Sequence, residues 1–154
     1  MKILDITKEK QDKSRILVET ASAKAFSPES NYTVVYAFLL KGLFFNSRAY
    51  NFLLGFNTDK KELCIAQFNK EGVIIGETIV LTQNQILSIK TYKTGVVKIT
   101  NTETDKPVKL TVPAILPDVA ELYDQLPIEQ KDEARLFYKF IKAVQEEITT
   151  RGGK

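Results

Sequence analysis

The chain contains no histidine, one cysteine and 19 acidic side chains, and that inventory decides most of the chemistry open to it. Catalytic triads that use imidazole as base are excluded, as are metal sites built on histidine. A single cysteine, Cys64, excludes a cysteine-rich structural zinc site and any disulfide within the chain, which fits a reducing compartment. Cys64 lies in an apolar, strand-like stretch, where a buried and inert thiol is expected. The carboxylates do not converge. Glu146 and Glu147 are neighbours on a predicted helix and so point in different directions, Glu129, Asp132 and Glu133 suit the positive end of a helix, and Asp59 and Glu62 flank a turn. Gly42, Gly55, Gly72, Gly76 and Gly95 are isolated, without the spacing of a phosphate-cradling loop. No catalytic, metal-binding or cofactor-binding residue is therefore assigned and no cofactor is expected; an enzyme acting through carboxylates is the third-ranked reading.

The basic residues give one localised candidate. Lys41 and Arg48 bracket Leu43, Phe44 and Phe45, and two cations beside aromatics could meet an anionic lipid surface, at about 1 kcal/mol per basic residue. Lys41, Phe44, Phe45 and Arg48 are thus the candidate lipid or partner contact, with packing of the two phenylalanines into the core or a subunit interface as the competing expectation. Nucleic acid is not expected. The formal charge of +3 arises from 22 basic and 19 acidic residues spread along the chain. Lys98, Thr100, Lys109 and Thr111, which alternate outward on predicted strands, offer no aromatic for base stacking.

The elements that must position these residues are mainly strands. At 154 residues, 44% hydrophobic and 27% charged, the chain fits one domain with one core. Residues 1–15 are rich in Lys, Asp and Glu and are expected to be loosely ordered, ahead of a single domain over 16–150. The first residues lack the apolar run of a signal peptide, and the most apolar segment, 32–45, is too short and too interrupted to span a membrane. A cytoplasmic location is the expectation. Ile16 to Phe26 fits a short helix or a leading strand, and Ser27-Pro-Glu-Ser-Asn31 breaks it. Thr33 to Leu40 reads as a strand. Alternation then runs through Tyr50, Phe52, Leu54 and Phe56, a polar turn at Asn57 to Lys61, and a returning strand from Glu62 to Phe68.

Gly76-Glu77, between Val73–Ile75 and Thr78–Leu81, fits either a bulge in one strand or a turn between two. Further alternating stretches around Leu87–Ile89, Val97–Ile99 and Val108–Val112 complete about seven strands without intervening helices, the pattern of an antiparallel sheet system. After Pro113 the period changes. Pro117 suits the start of a short helix with Val119, Leu122 and Leu126 on one side, and Pro127 the start of a longer one. Phe137, Phe140, Ile141, Val144 and Ile148 recur at spacings of three and four, a core-facing stripe that must be buried against the sheet.

Strands of this number followed by one amphipathic C-terminal helix resemble the pleckstrin-homology (PH) superfold. Tyr50-Asn-Phe-Leu-Leu-Gly-Phe-Asn-Thr-Asp-Lys-Lys-Glu-Leu-Cys-Ile65 and Gly76-Glu-Thr-Ile-Val-Leu-Thr-Gln-Asn-Gln-Ile-Leu-Ser-Ile-Lys90 are similar to segments of bacterial PH-like proteins, although Lys61-Glu62 departs from their usual basic-Leu pair. The resemblance covers about Tyr32 to Val112, with the helix in support. It implies a mainly β, PH-like barrel or sandwich capped by the helix, of a kind found mostly in cytoplasmic Gram-positive bacterial proteins of unassigned function, and it brings no catalytic residue. Lipid-binding members of the superfold place Lys and Arg around the first strand loop, where Lys41 and Arg48 fall here. The leading expectation is a non-catalytic binding module that recognises a protein or peptide, or self-associates as a homo-oligomer, through a sheet edge or the groove beside the terminal helix. Membrane-surface binding through the Lys41–Arg48 loop is the alternative.

Overall fold

The computed structural model describes residues 5–41 and 48–151, with backbone only at residues 40, 41 and 48. The molecule is mainly β. Helix α1 (Lys8–Ala25) leads through a 3-10 turn at Pro28–Ser30 into strands β1 (Thr33–Lys41), β2 (Arg48–Asn57), β3 (Glu62–Phe68), β4 (Ile74–Leu81), β5 (Ile86–Thr91), β6 (Val96–Asn101) and β7 (Val108–Thr111). A short pair, β8 (Ile115–Leu116) with β9 (Ile128–Glu129), flanks a 3-10 helix at Asp118–Tyr123, and helix α2 (Lys131–Thr150) closes the chain.

The seven-stranded sheet runs in the order β4-β3-β2-β1-β7-β6-β5, antiparallel at each junction. β1 and β2 pair along their whole length, from Thr33↔Phe56 to Lys41↔Arg48, whereas β1 and β7 share one pair, Phe38↔Thr111. The sheet therefore curls at that weak junction into a half-barrel, and α2 lies in its hollow. A mainly antiparallel sheet wrapped on a C-terminal helix is a PH-like architecture.

The apolar stripe explains the position of α2. Phe137, Phe140, Ile141, Val144 and Ile148 are all buried, in one cluster with Val35, Leu54, Phe56, Leu63, Ile99 and Leu110 of the concave face. Phe56 sits between two helix rings, its centroid 5.6 Å from Phe137 and 5.2 Å from Phe140, within the range of favourable aromatic pairs.

The convex face is covered too. Ala21 of α1, with Phe26, Leu126 and Ile128, packs on Tyr36, Phe38, Leu53, Cys64, Ala66 and Phe68 as a second core. Two-sided burial accounts for the consecutive buried residues Leu63-Cys64-Ile65-Ala66 in β3, since a strand covered on both faces carries apolar residues without alternation. Gly55 belongs to this layer. The ring of Tyr32 lies 2.8 Å from where a Cβ would stand, so only glycine lets the edge-to-face Phe26–Tyr32 pair rest on the strand.

Several expectations are corrected. Residues 8–15, expected to be loosely ordered, are the first turns of α1, and its continuation to Ala25 settles residues 16–25 as helix. Polar contacts from the N-terminal part of the chain reach the segment before α2: Thr7 N donates to Asp118 Oδ1, Lys10 pairs with Glu121, and Arg15 pairs with Glu133 and donates to the Glu129 carbonyl. Gly76-Glu77 is a bulge inside one strand. The pairs Ile65↔Ile79 and Gln67↔Ile75 bracket one residue on β3 and three on β4, and Gly76 takes φ +70°. Leu122 is not on a buried side but 76% exposed, because the segment after Pro117 is a 3-10 helix with three residues per turn rather than 3.6. Pro127 does not start the last helix. Ile128–Glu129 is extended to pair with β8, and the helix begins at Lys131 with Asp132 and Glu133 in its first turn.

Candidate functional site

An open sheet has two edges, and the structure treats them differently. The β5 edge is engaged by α2 at one point: Gln145 Nε2 donates to the Ile89 carbonyl at 2.9 Å, so a side chain takes one bonding group of that strand. At the β4 edge no such bond is found among the described residues. Among the described residues no hydrogen bond reaches Ile74–Leu81 from outside the β3–β4 ladder. Ile75 and Val80, exposed to 43% and 45%, stand on it. The Gly76 bulge breaks this edge into two short runs, which restricts what can pair with it, and Glu77 adds an exposed charge.

Register places a recognisable surface beside the first of those runs. Ala37, Phe52, Gln67 and Ile75 are directly opposite one another across β1, β2, β3 and β4, a row on the concave face that ends in the open at Ile75. Tyr50, paired with Leu39 two residues along β2 from Phe52, shares that face and is 43% exposed. Tyr50, Gln67 and Ile75 line a cleft of about 350 Å³ at the β3–β4 turn, rimmed by Lys70, Glu71 and Asp124.

The rim is anchored from the interior. Asp124, in the left-handed conformation at the end of the 3-10 helix, pairs with Lys70, and its carbonyl accepts from Asn51 Nδ2 at 3.0 Å. Asn51 Oδ1 in turn accepts from the Tyr36 hydroxyl, and that hydroxyl oxygen accepts from Leu126 N at 3.2 Å. Burial raises the pKa of the Tyr36 hydroxyl, so it stays a neutral donor in this chain of bonds. The arrangement offers an apolar and amide-lined floor, a fixed ion pair and a free strand edge, which is equipment for binding a chain.

Chemically reactive groups are not gathered there. Cys64 is 3% exposed in the convex core, and burial pushes its thiol up to about 11, with Glu62 adding to the rise. Glu62 accepts from the Tyr32 hydroxyl, Glu129 from Gln11, and Asp132 pairs with Arg135 on the helix surface. Among the described residues no three of His, Cys, Asp and Glu are grouped to hold a metal ion, and no helix is long and apolar enough to cross a membrane.

Of the sequence-derived contact residues, Phe44 and Phe45 lie outside the described residues. Lys41 and Arg48 are described by backbone alone, as the last pair of the β1–β2 ladder. Sequence reasoning missed Gln145 and Gln130, whose roles depend on contacts 56 and 94 residues away. Tyr50 and Ile75 carried a weak signal, as apolar residues next to turn chemistry. Compared with protein-family models and with curated proteins, the sequence matches none.

Proposed function

We propose that this chain is a non-catalytic, PH-like binding module, related to the bacterial PH-like proteins its strand motifs resemble, which takes up an extended segment of a protein partner or of a second copy along the β4 edge. The observation that carries the reading is a difference in hydrogen bonding at the edges: Gln145 bonds the Ile89 carbonyl of β5, and among the described residues nothing outside the β3–β4 ladder bonds β4, where Ile75 and Val80 are exposed. A strand added at Ile74–Ile75 would extend the row Ala37–Phe52–Gln67–Ile75 by one residue, whose side chain would reach the cleft beside Tyr50. Main-chain bonds would then supply affinity, and the cleft would select the side chain. A single buried thiol is in keeping with a reducing, cytoplasmic setting.

Selection of a displayed random-peptide library on the full chain tests this. The expected outcome is a family of extended sequences with apolar residues at alternate positions. Their affinity should fall at least about tenfold on the double variant Ile75→Lys, Val80→Lys, which places charge on the edge without disturbing buried residues. Peptides that bind wild type and variant equally, or vesicles of anionic lipid that bind while all peptides fail, would overturn the proposal.

A further inference from the structure

A second site, which shares Lys70 with the rim of the β4 cleft, emerges from the buried polar side chains. Ser14, Asn51, Asn101, Asp118, Gln125 and Gln130 are all more than nine-tenths buried. Asn51, Asn101, Asp118 and Gln130 spend their side chains on hydrogen bonds within the protein. Ser14 and Gln125 make none among the described residues. No fully enclosed side-chain nitrogen or oxygen there lacks a partner, so the polar atoms of these two must meet accessible space. Both line the same cavity, about 230 Å³ between α1 and the segment leading to β9.

The rest of the lining gives the cavity a chemical character. Leu17 and Leu126 form apolar wall, and Lys10, Lys13 and Lys70 share the lining with Glu9 and Glu121. Lys10 is held by Glu121 and Lys70 by Asp124, while Lys13 has no ion pair among the described residues. Ser14 also sits in mid-helix, where alanine would favour the helix more and leave no hydroxyl without a partner. A residue that is worse than alanine for the fold, facing a cavity with a second unpartnered amide, is the local inconsistency that marks functional positions.

We propose that this cavity binds a small organic anion. Its carboxylate or phosphate would lie at the rim against Lys13, and its hydroxyl or amide groups would bond Ser14 and Gln125. A volume below the roughly 300–1,000 Å³ of drug-sized sites sets the ligand as a small metabolite rather than a nucleotide. Because α1 forms one wall and residues 121–127 the other, bound ligand ties the helix to the body of the protein and raises its thermal stability.

The test uses the full chain with glycerol 3-phosphate, glycerate and uncharged glycerol, each titrated to about 10 mM at constant ionic strength by calorimetry and thermal melting. At least one of the two anions should give a saturable rise in the melting midpoint, the difference between them telling phosphate from carboxylate, and glycerol should give none. Ser14→Ala should melt higher than wild type without ligand yet bind the anion about tenfold more weakly, and Gln125→Leu should bind more weakly too. A merely structural serine would not produce that opposition. The proposal is overturned if neither anion gives a saturable response, or if Ser14→Ala binds as well as wild type.

Discussion

Gln130 holds the half-barrel together where its two runs of strands part. Beyond the single pair Phe38↔Thr111, β1 has no strand neighbour on its β7 side among the described residues, and the side-chain amide of Gln130 stands in for one. Its Oε1 accepts from Tyr36 N at 2.9 Å, and its Nε2 donates to the carbonyls of Tyr36 at 2.9 Å and Pro113 at 2.7 Å. The residue is 3% exposed. Its main chain bonds Ala114 on one side and accepts from Ala134, opening α2, on the other. Gln130→Ala removes three hydrogen bonds at about 1 kcal/mol each and strands one buried donor and two acceptors, so a loss of about 3 kcal/mol is expected if water fills the gap and more if it does not. That is a large share of the stability of a domain this size, and the melting midpoint should fall by about 6–12 °C.

Gln130→Glu separates the hydrogen-bond account from simple packing. The new carboxyl can still accept from Tyr36 N, but its other oxygen faces two carbonyls and must carry a proton to bond either. Its folded-state pKa is then raised above the unfolded value of about 4.3, so the variant keeps most of its stability below that pH and loses it as pH rises toward the folded pKa. Urea titrations of wild type and both variants between pH 4 and 8 supply the comparison. A loss under about 1 kcal/mol for Gln130→Ala, or a Gln130→Glu variant whose deficit is flat with pH, would refute the role assigned to the amide.

Three further outcomes are expected. Phe140→Ala, which empties a fully buried site against Phe56, should cost about 3–5 kcal/mol in denaturant titration. Gly55→Ala should cost about 1–3 kcal/mol in denaturant titration by displacing the Tyr32 and Phe26 rings. The Cys64 thiol should resist a thiol reagent at pH 8 until the protein unfolds. Because burial raises its folded pKa to about 11 from an ordinary 9.0, its contribution is fully present below pH 9 and is lost between 9 and 11. A Cys64→Ala variant should show a shallower alkaline decline than wild type.

The sheet and the terminal helix were legible because each carries its own period. Alternation in β2 and from β5 to β7, the Asn57–Lys61 turn, and the three-and-four spacing of Phe137 to Ile148 are local patterns that burial on one face imposes. Helix α1 was obscured because its packing surface is narrow: Leu17, Val18, Ala21 and Ala25 touch the convex core, while Ile16 is exposed and Lys10 and Arg15 dock through acidic partners more than 100 residues away. The two-sided burial of β3 was hidden for the same reason, since nothing near Leu63–Ala66 announces the helix that covers them. Pro127 suited a helix start as well as Lys131 does, and pairing with Ile115–Leu116 decided the matter. The free edge was not legible at all. It is defined by what does not pair with β4, and by a glutamine on α2 that happens to reach β5.

Backbone hydrogen exchange along β4, measured on the full chain with and without a peptide obtained by selection, tests the binding account most directly. The account predicts that amides within Ile74–Leu81 slow by at least about tenfold on binding while those of β5, at the opposite edge of the sheet, change little, and that the effect disappears in the Ile75→Lys, Val80→Lys variant. Protection confined to β5 and α2, or binding that leaves β4 amides exchanging at their free rate, would contradict it.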